Sequence, residues 1–255
     1  MSRYLAIHAL ALIGALACSS VANAIPVTPG GYENVEGASD NCIPFTCRGV
    51  TRYQQIYDAA GFGGASGVVG SIAFRLDAAD QFVDELFGTT TDNGSFSLHL
   101  DLLVTLAHTS ETSTTVLPQL VTGTDTTTVF DGFVDWNAIQ QPGSGLNAFD
   151  LGIDFLDLFA YDGAQSLLLD IQIRNADAIP GQVSPRFLDA AGFPPGSGPA
   201  PFGRVWTEPG LTGFSQSYGL VTQFDFVHAV PEPGTLLLFL TGMFSLLLWR
   251  RRSVR

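Results

Sequence analysis

The chain has 255 residues, 24 acidic against 11 basic side chains, a formal net charge of −13 and 28 glycines. Outside residues 1–24 and 231–255 the remaining 206 carry six arginines, no lysine and 23 Asp plus Glu, a charge of −17. A body of that sign excludes nucleic acid and anionic lipid as partners, disfavours acidic polysaccharide without bridging divalent cations, and suits one domain in length.

In chain order, Arg3 opens a short positive start, Tyr4 to Ala17 form an apolar run, and Ala22-Asn23-Ala24 supplies a small-x-small cleavage pattern. This layout predicts a secretory signal peptide over 1–24, removed after Ala24 by signal peptidase. The rival reading makes Cys18 in "ALAC" a lipidated cysteine, with Ala15 standing where a leucine would be wanted.

Residues 25–49, rich in Pro, Gly, Asn and Asp, read as an N-terminal loop region. Removal of the leader takes Cys18 with it and leaves Cys42 and Cys47 as an even pair in an oxidising compartment. A disulfide between them would close a six-residue loop and contribute about 2 kcal/mol. Two cysteines without nearby histidines are too few for zinc.

From residue 50 the dominant period is two, the mark of strands with one dry and one wet face. "SIAFRL" sets Ile72, Phe74 and Leu76 against Ser71, Ala73 and Arg75. "SFSLHLDLL" sets Phe96, Leu98, Leu100 and Leu102 against Ser95, Ser97, His99 and Asp101. "SLLLDIQIR" sets Leu167, Leu169, Ile171 and Ile173 against Asp170, Gln172 and Arg174. "GLVTQFDFV" sets Leu220, Phe224 and Phe226 against Gln223 and Asp225. In "FDLGIDFLDLF" the apolar residues move from odd numbers (Phe149 to Phe155) to even ones (Leu156, Leu158), which predicts a one-residue β-bulge near Phe155. Only "LDAADQFVDELFG", Leu76 to Gly88, has helical spacing and predicts a short surface helix. Many short strands with Gly/Pro turns predict an all-β fold, an antiparallel β-sandwich or jelly-roll-like ectodomain over 50–230.

Candidate chemistry is sparse. There is no Gly-x-Ser-x-Gly elbow, the remaining histidines are His99, His108 and His228, and both cysteines are expected to be bonded, so no catalytic residue is assigned. Calcium is the metal with a motive, at Asp150, Asp154 and Asp157 around the bulge or at Asp131 and Asp135. It needs six to eight oxygens and no EF-hand loop occurs, so these read as solvated charges and no cofactor is assigned. Sugar-binding platforms would use Trp136 beside Asn137, or Trp206 near Tyr218; the competing reading buries both tryptophans in the core. "GFGGASG" lacks dinucleotide-loop spacing and reads as a strand connection.

The chain closes on "VPEPGTLLLFLTGMFSLLLWRRRSVR". Gly234 to Trp249 holds seven leucines and two phenylalanines without a charge. As a helix it covers about 24 Å, short of a hydrocarbon core of about 30 Å but favoured to insert by a few kcal/mol. Arg250, Arg251, Arg252 and Arg255 would stay cytoplasmic, which puts residues before Pro231 outside the inner membrane. Pro231-Glu232-Pro233, a short span and a basic cluster together resemble the PEP-CTERM sorting signal of bacterial surface proteins. The resemblance implies recognition by an exosortase, a membrane-embedded transpeptidase-like enzyme, and removal of the tail near the motif. The prolines would hold the chain extended and open to attack. "TRYQQIYDAAGFGG", "SIAFRLD", "TTTVFDG", "FDLGIDFLDLFAYD", "SLLLDIQIRN" and "GLVTQFDF" are similar, in order and spacing, to a recurrent ectodomain type of PEP-CTERM proteins. That likeness implies a β-rich fold and no particular activity. The expected function is a non-catalytic cell-surface or extracellular-matrix protein; the alternative is a secreted carbohydrate-binding module for a neutral polysaccharide.

Overall fold

Alternating apolar residues build thirteen strands among the described residues, all paired antiparallel, in a computed structural model. The structure describes residues 26–37, 39–46, 49–78, 95–114, 119–139, 145–175, 187–192, 202–208, 214–216 and 219–227, within the unit Ile25–Val227. The expected leader with Ala22 and Ala24, the Pro231-Glu232-Pro233 motif, the apolar span and Arg250, Arg251, Arg252 and Arg255 lie outside the described residues. So do Cys18, Cys47, Tyr218, His228 and the expected helix beyond Ala78. Among the described residues no helix is long and apolar enough to cross a membrane, and a 3-10 turn, Ala59–Phe62, is the one helical element.

The strands are β1 (Val27–Thr28), β2 (Ser39–Asn41), β3 (Arg52–Tyr57), β4 (Gly67–Phe74), β5 (Ser95–Thr109), β6 (Thr124–Ile139) and β7 (Leu151–Tyr161). They continue as β8 (Ser166–Ile173), β9 (Leu188–Ala191), β10 (Phe202–Thr207), β11 (Phe214–Gln216), β12 (Gly219–Leu220) and β13 (Thr222–Val227). One sheet runs β1-β13-β4-β7, a second β11-β10-β3-β8-β5-β6, and a small third β12-β9-β2. The segment 26–46, expected as loop, thus contributes β1 to the first sheet and β2 to the third.

The two larger sheets share one core. Val69, Ile72, Phe74, Ile153, Phe159, Tyr161 and Phe224 of the first join Tyr53, Tyr57, Leu100, Leu102, Val104, Leu169 and Ile171 of the second. Tyr57 meets Phe224 edge-on at 5.1 Å and its hydroxyl bonds Thr222 Oγ1 at 2.6 Å. Burial pushes the Tyr57 phenol well above its ordinary range. Trp136 of β6 donates Nε1–H to the Gly152 carbonyl of β7 at 2.8 Å, so a buried indole keeps its hydrogen bond. Gln55, fully buried, donates to the Leu220 carbonyl and accepts from the Leu220 N–H, both at 2.9 Å, tying β3 to β12.

The alternation holds where one face stays wet. In β13 Phe224 and Phe226 are buried while Asp225 is exposed; in β5 Leu100 and Leu102 are buried and His99 exposed. (Phe96 is described by its backbone alone.) Three expectations fail. Arg75, expected on the wet side, is 1% exposed because the third sheet covers that end of the strand and supplies a carboxylate. Strand β8 is buried on both faces, since Ile56, Ala107 and Leu168 form a second, small core under Val121 of the segment 119–123.

The third failure is the bulge, whose place is right and whose size is not. Val69 pairs Phe159 and Ser71 pairs Asp154, so Phe155 to Leu158 stand opposite Gly70 alone. Four residues stand where a regular ladder holds one, three extra instead of the one expected. Odd-numbered Leu151, Ile153, Phe159 and Tyr161 therefore remain inside, while Leu156 and Leu158 are 70% and 55% exposed.

Candidate functional site

The 15-residue β5 and 16-residue β6 form a long antiparallel pair whose register sets His99 opposite Asp135, Asp101 opposite Phe133 and Leu103 opposite Asp131. Strand alternation then gathers His99, Asp101, Asp131, Phe133 and Asp135 on one outer face. Phe133 is 61% exposed and stacks on the His99 ring at 4.7 Å with planes 10° apart. The His99 Nδ1 lies 2.6 Å from Asp135 Oδ1. Beside them Arg174 donates Nε–H to Asp101 Oδ1 at 2.8 Å and Nη2–H to Asp131 Oδ1 at 2.6 Å. Those hydrogen bonds, Asp131 first, raise the guanidinium above its ordinary value. Three carboxylates against one guanidinium leave the patch anionic. It offers a ring face and hydrogen-bond acceptors, chemistry that suits a neutral or cationic ligand.

A buried polar cluster forms where the third sheet meets the end of β4. Arg75 donates Nε–H to Asp189 Oδ2 at 2.6 Å, and both side chains are shut off from solvent. The Gly37 N–H donates to Asp189 Oδ1 at 2.7 Å, and the Ala78 N–H to Glu36 Oε1 at 2.6 Å. Burial pushes the Asp189 carboxyl up to about 6, although Arg75 pulls it down. Carboxylate oxygens of Glu36, Asp77 and Asp189 lie within 4.8 Å of one another. Three such ligands fall short of calcium's six to eight, and Arg75 already supplies countercharge. Among the described residues no such group includes Asp131, Asp135, Asp150, Asp154 or Asp157.

His108, buried in β5, has both ring nitrogens occupied. Nδ1 lies 2.7 Å from Asp125 Oδ2 and Nε2 accepts the Asp162 N–H at 3.1 Å. Its ring stacks on Tyr161 with planes 14° apart. Asp125 adopts φ 46°, a left-handed conformation that Asp tolerates better than most residues, and its Oδ1 also accepts the His108 N–H at 3.1 Å. Burial raises the Asp125 carboxyl, but the His108 hydrogen bonds outweigh it and the net direction is down. Asp162 is held down to about 2 by hydrogen bonds from Gln165 and Ala164. This is the geometry of a clip joining β5, β6 and the β7–β8 turn, with no nitrogen left for a nucleophile.

Burial bears out the core reading of the two tryptophans over the platform reading. Trp136 is 3% exposed, edge-on to Phe45 at 4.8 Å. Trp206 is equally buried, donating Nε1–H to Glu208 Oε1 at 3.1 Å with Arg204 over its ring. Phe133 is instead the exposed aromatic of "DGFVDW". Its outward phase could have been read from the same alternation that turns Val134 and Trp136 inward.

No curated protein and no solved structure matches the chain. A family model for the PEP-CTERM protein-sorting motif matches residues 229–252, the stretch that holds Pro231-Glu232-Pro233, the apolar run and three of the four arginines. Two positions past the last strand among the described residues, the chain therefore carries a stretch that matches the PEP-CTERM protein-sorting motif.

Proposed function

We propose that the protein is an exported, non-catalytic component of the cell surface or extracellular matrix, delivered and trimmed through its sorting motif. The match over 229–252 carries this reading, because a PEP-CTERM motif in general implies export, a membrane-anchored precursor and processing by an exosortase. On this reading signal peptidase cuts after Ala24, Gly234–Trp249 holds the precursor in the inner membrane, and Arg250, Arg251, Arg252 and Arg255 stay cytoplasmic. The ectodomain is a β-sandwich of the two larger sheets, and Cys42 and Cys47 are disulfide-bonded. No cofactor is required. The occupied nitrogens of His108 and the lone, exposed His99–Asp135 pair favour a non-catalytic body.

Intact-mass analysis of the mature protein from its native host is the test. A first residue of Ile25 and a last residue between 231 and 234 are expected, with a mass two hydrogen atoms below the dithiol form. A retained Arg255 would reduce the tail to a simple anchor, and an intact Met1 would remove export itself.

A second reading, a carbohydrate-binding module, is favoured by the exposed Phe133 ring flanked by Asp135, Asp131 and Arg174. The ring face suits the C–H face of a neutral pyranose and the carboxylates accept its hydroxyls. Retardation in affinity gels containing neutral polysaccharide, lost on Phe133→Ala and kept on Asp225→Asn, is the expected result. Absence of retardation on every neutral polysaccharide leaves the structural reading alone.

A further inference from the structure

The bulge in β7 lies on the edge strand of the four-stranded sheet. Natural edge strands are usually blunted by charge, and bulges often serve that end. Here the bulge turns two leucines outward instead, Leu156 and Leu158. Gly70, opposite, lets a third apolar residue join them. A Cβ at Gly70 would meet Val227 Cγ2 at 2.3 Å and Leu158 Cδ2 at 3.7 Å, so both side chains close over the bare glycine. Val227, the last residue of β13, is 45% exposed. The patch has a carboxylate rim: Asp154 and Asp225 both pair with Ser71 on the adjoining row, and Asp157 lies within the bulge. All three are exposed.

Covalent geometry says what must come close to this patch. The sorting-motif match begins at residue 229, two positions past Val227, and Pro231 follows four positions past it. Four extended residues reach about 14 Å at most. Whatever grips Pro231 must therefore come within about 14 Å of Val227. A second copy of the chain in a twofold contact would set the acidic rim against itself. An anionic bilayer surface meets the same repulsion.

We propose that Leu156, Leu158 and Val227 form a docking surface for the processing exosortase, received by an apolar patch with a cationic rim on that enzyme. The inference rests on the sorting reading and adds to it a recognition element outside the motif. Docking there would hold the motif near the enzyme and raise its effective concentration at the site of cleavage.

The test uses the full-length chain in its native host. Leu156→Ser with Leu158→Ser should slow conversion of precursor to shortened product in pulse-chase by at least about fivefold, the loss expected of apolar anchor residues. Removal of the leader and the unfolding midpoint should stay unchanged, because both side chains are exposed. In a second measurement, a photo-crosslinking residue at position 156 should capture an epitope-tagged exosortase. Wild-type conversion in the double variant, or crosslinks to lipid or a second copy alone, overturns the proposal. Glu232→Ala with Pro233→Ala serves as the control. If that variant is processed normally, the sorting reading falls; if it is blocked while the leucine variant is not, the docking surface alone falls.

Discussion

Arg75 and Asp189 are opposite charges withdrawn from water, and each is tolerable because of the other. Removing one partner of a buried pair leaves an uncompensated charge, so Asp189→Ala should lower stability by about 3–5 kcal/mol in chemical denaturation. The pH dependence has a definite sign. With its carboxyl raised to about 6 in the folded state against 3.8, Asp189 binds its proton more readily folded than unfolded. Its contribution makes stability rise as pH falls from about 6 towards 3.8. Asp162, held down to about 2, acts oppositely: it stabilises above 3.8 and that stabilisation fades as pH falls through about 2. Asp189→Asn should therefore remove pH-dependent stability between about 6 and 4 and leave the more acidic limb in place. A persisting slope in that window would assign it to another group. His108→Ala, which leaves the Asp162 N–H without its acceptor and takes one partner from the Asp125 carboxylate, should cost about 1–3 kcal/mol without affecting processing.

Among the elements, β4 and β7 show how a glycine sets the shape of a neighbouring strand. Gly70 stands alone against four residues, and a methyl there would sit 2.3 Å from Val227 Cγ2. Gly70→Ala should destabilise by about 1–3 kcal/mol through overpacking. Val227→Ala should recover most of that loss in a double-mutant cycle, because the clash is with a side chain. Additive losses would place the cost in the backbone. Strands β13, β5 and β8 show how far alternation can be read. Inward residues of β13 and β5 were legible because each strand has one dry and one wet face. In β8, Leu168 and Asp170 break the rule, since the segment 119–123 covers the outer face and Gln54 binds both Asp170 Oδ2 and the Val121 carbonyl. No local pattern announces a covering segment contributed from about 50 residues away in sequence.

For the whole molecule, charge is the property with the longest reach. A body at −17 repels itself, and added salt screens that repulsion. The unfolding midpoint of the mature protein should rise between low and physiological ionic strength, as scanning calorimetry can read; a fall would mean that surface pairs such as Arg174 with Asp101 and Asp131 outweigh the net field. By itself the sequence determined what depends on composition and local order: the acidic body, the antiparallel all-β class, the inward faces of most strands and the sorting signal at 229–252. Those properties need only neighbours along the chain. The tertiary structure alone decided that Arg75 is buried and that Leu156 and Leu158 point outward beside Val227. Each of these depends on which distant strand arrives to cover a face or supply a partner, and that is set by long-range pairing, which periodicity does not encode.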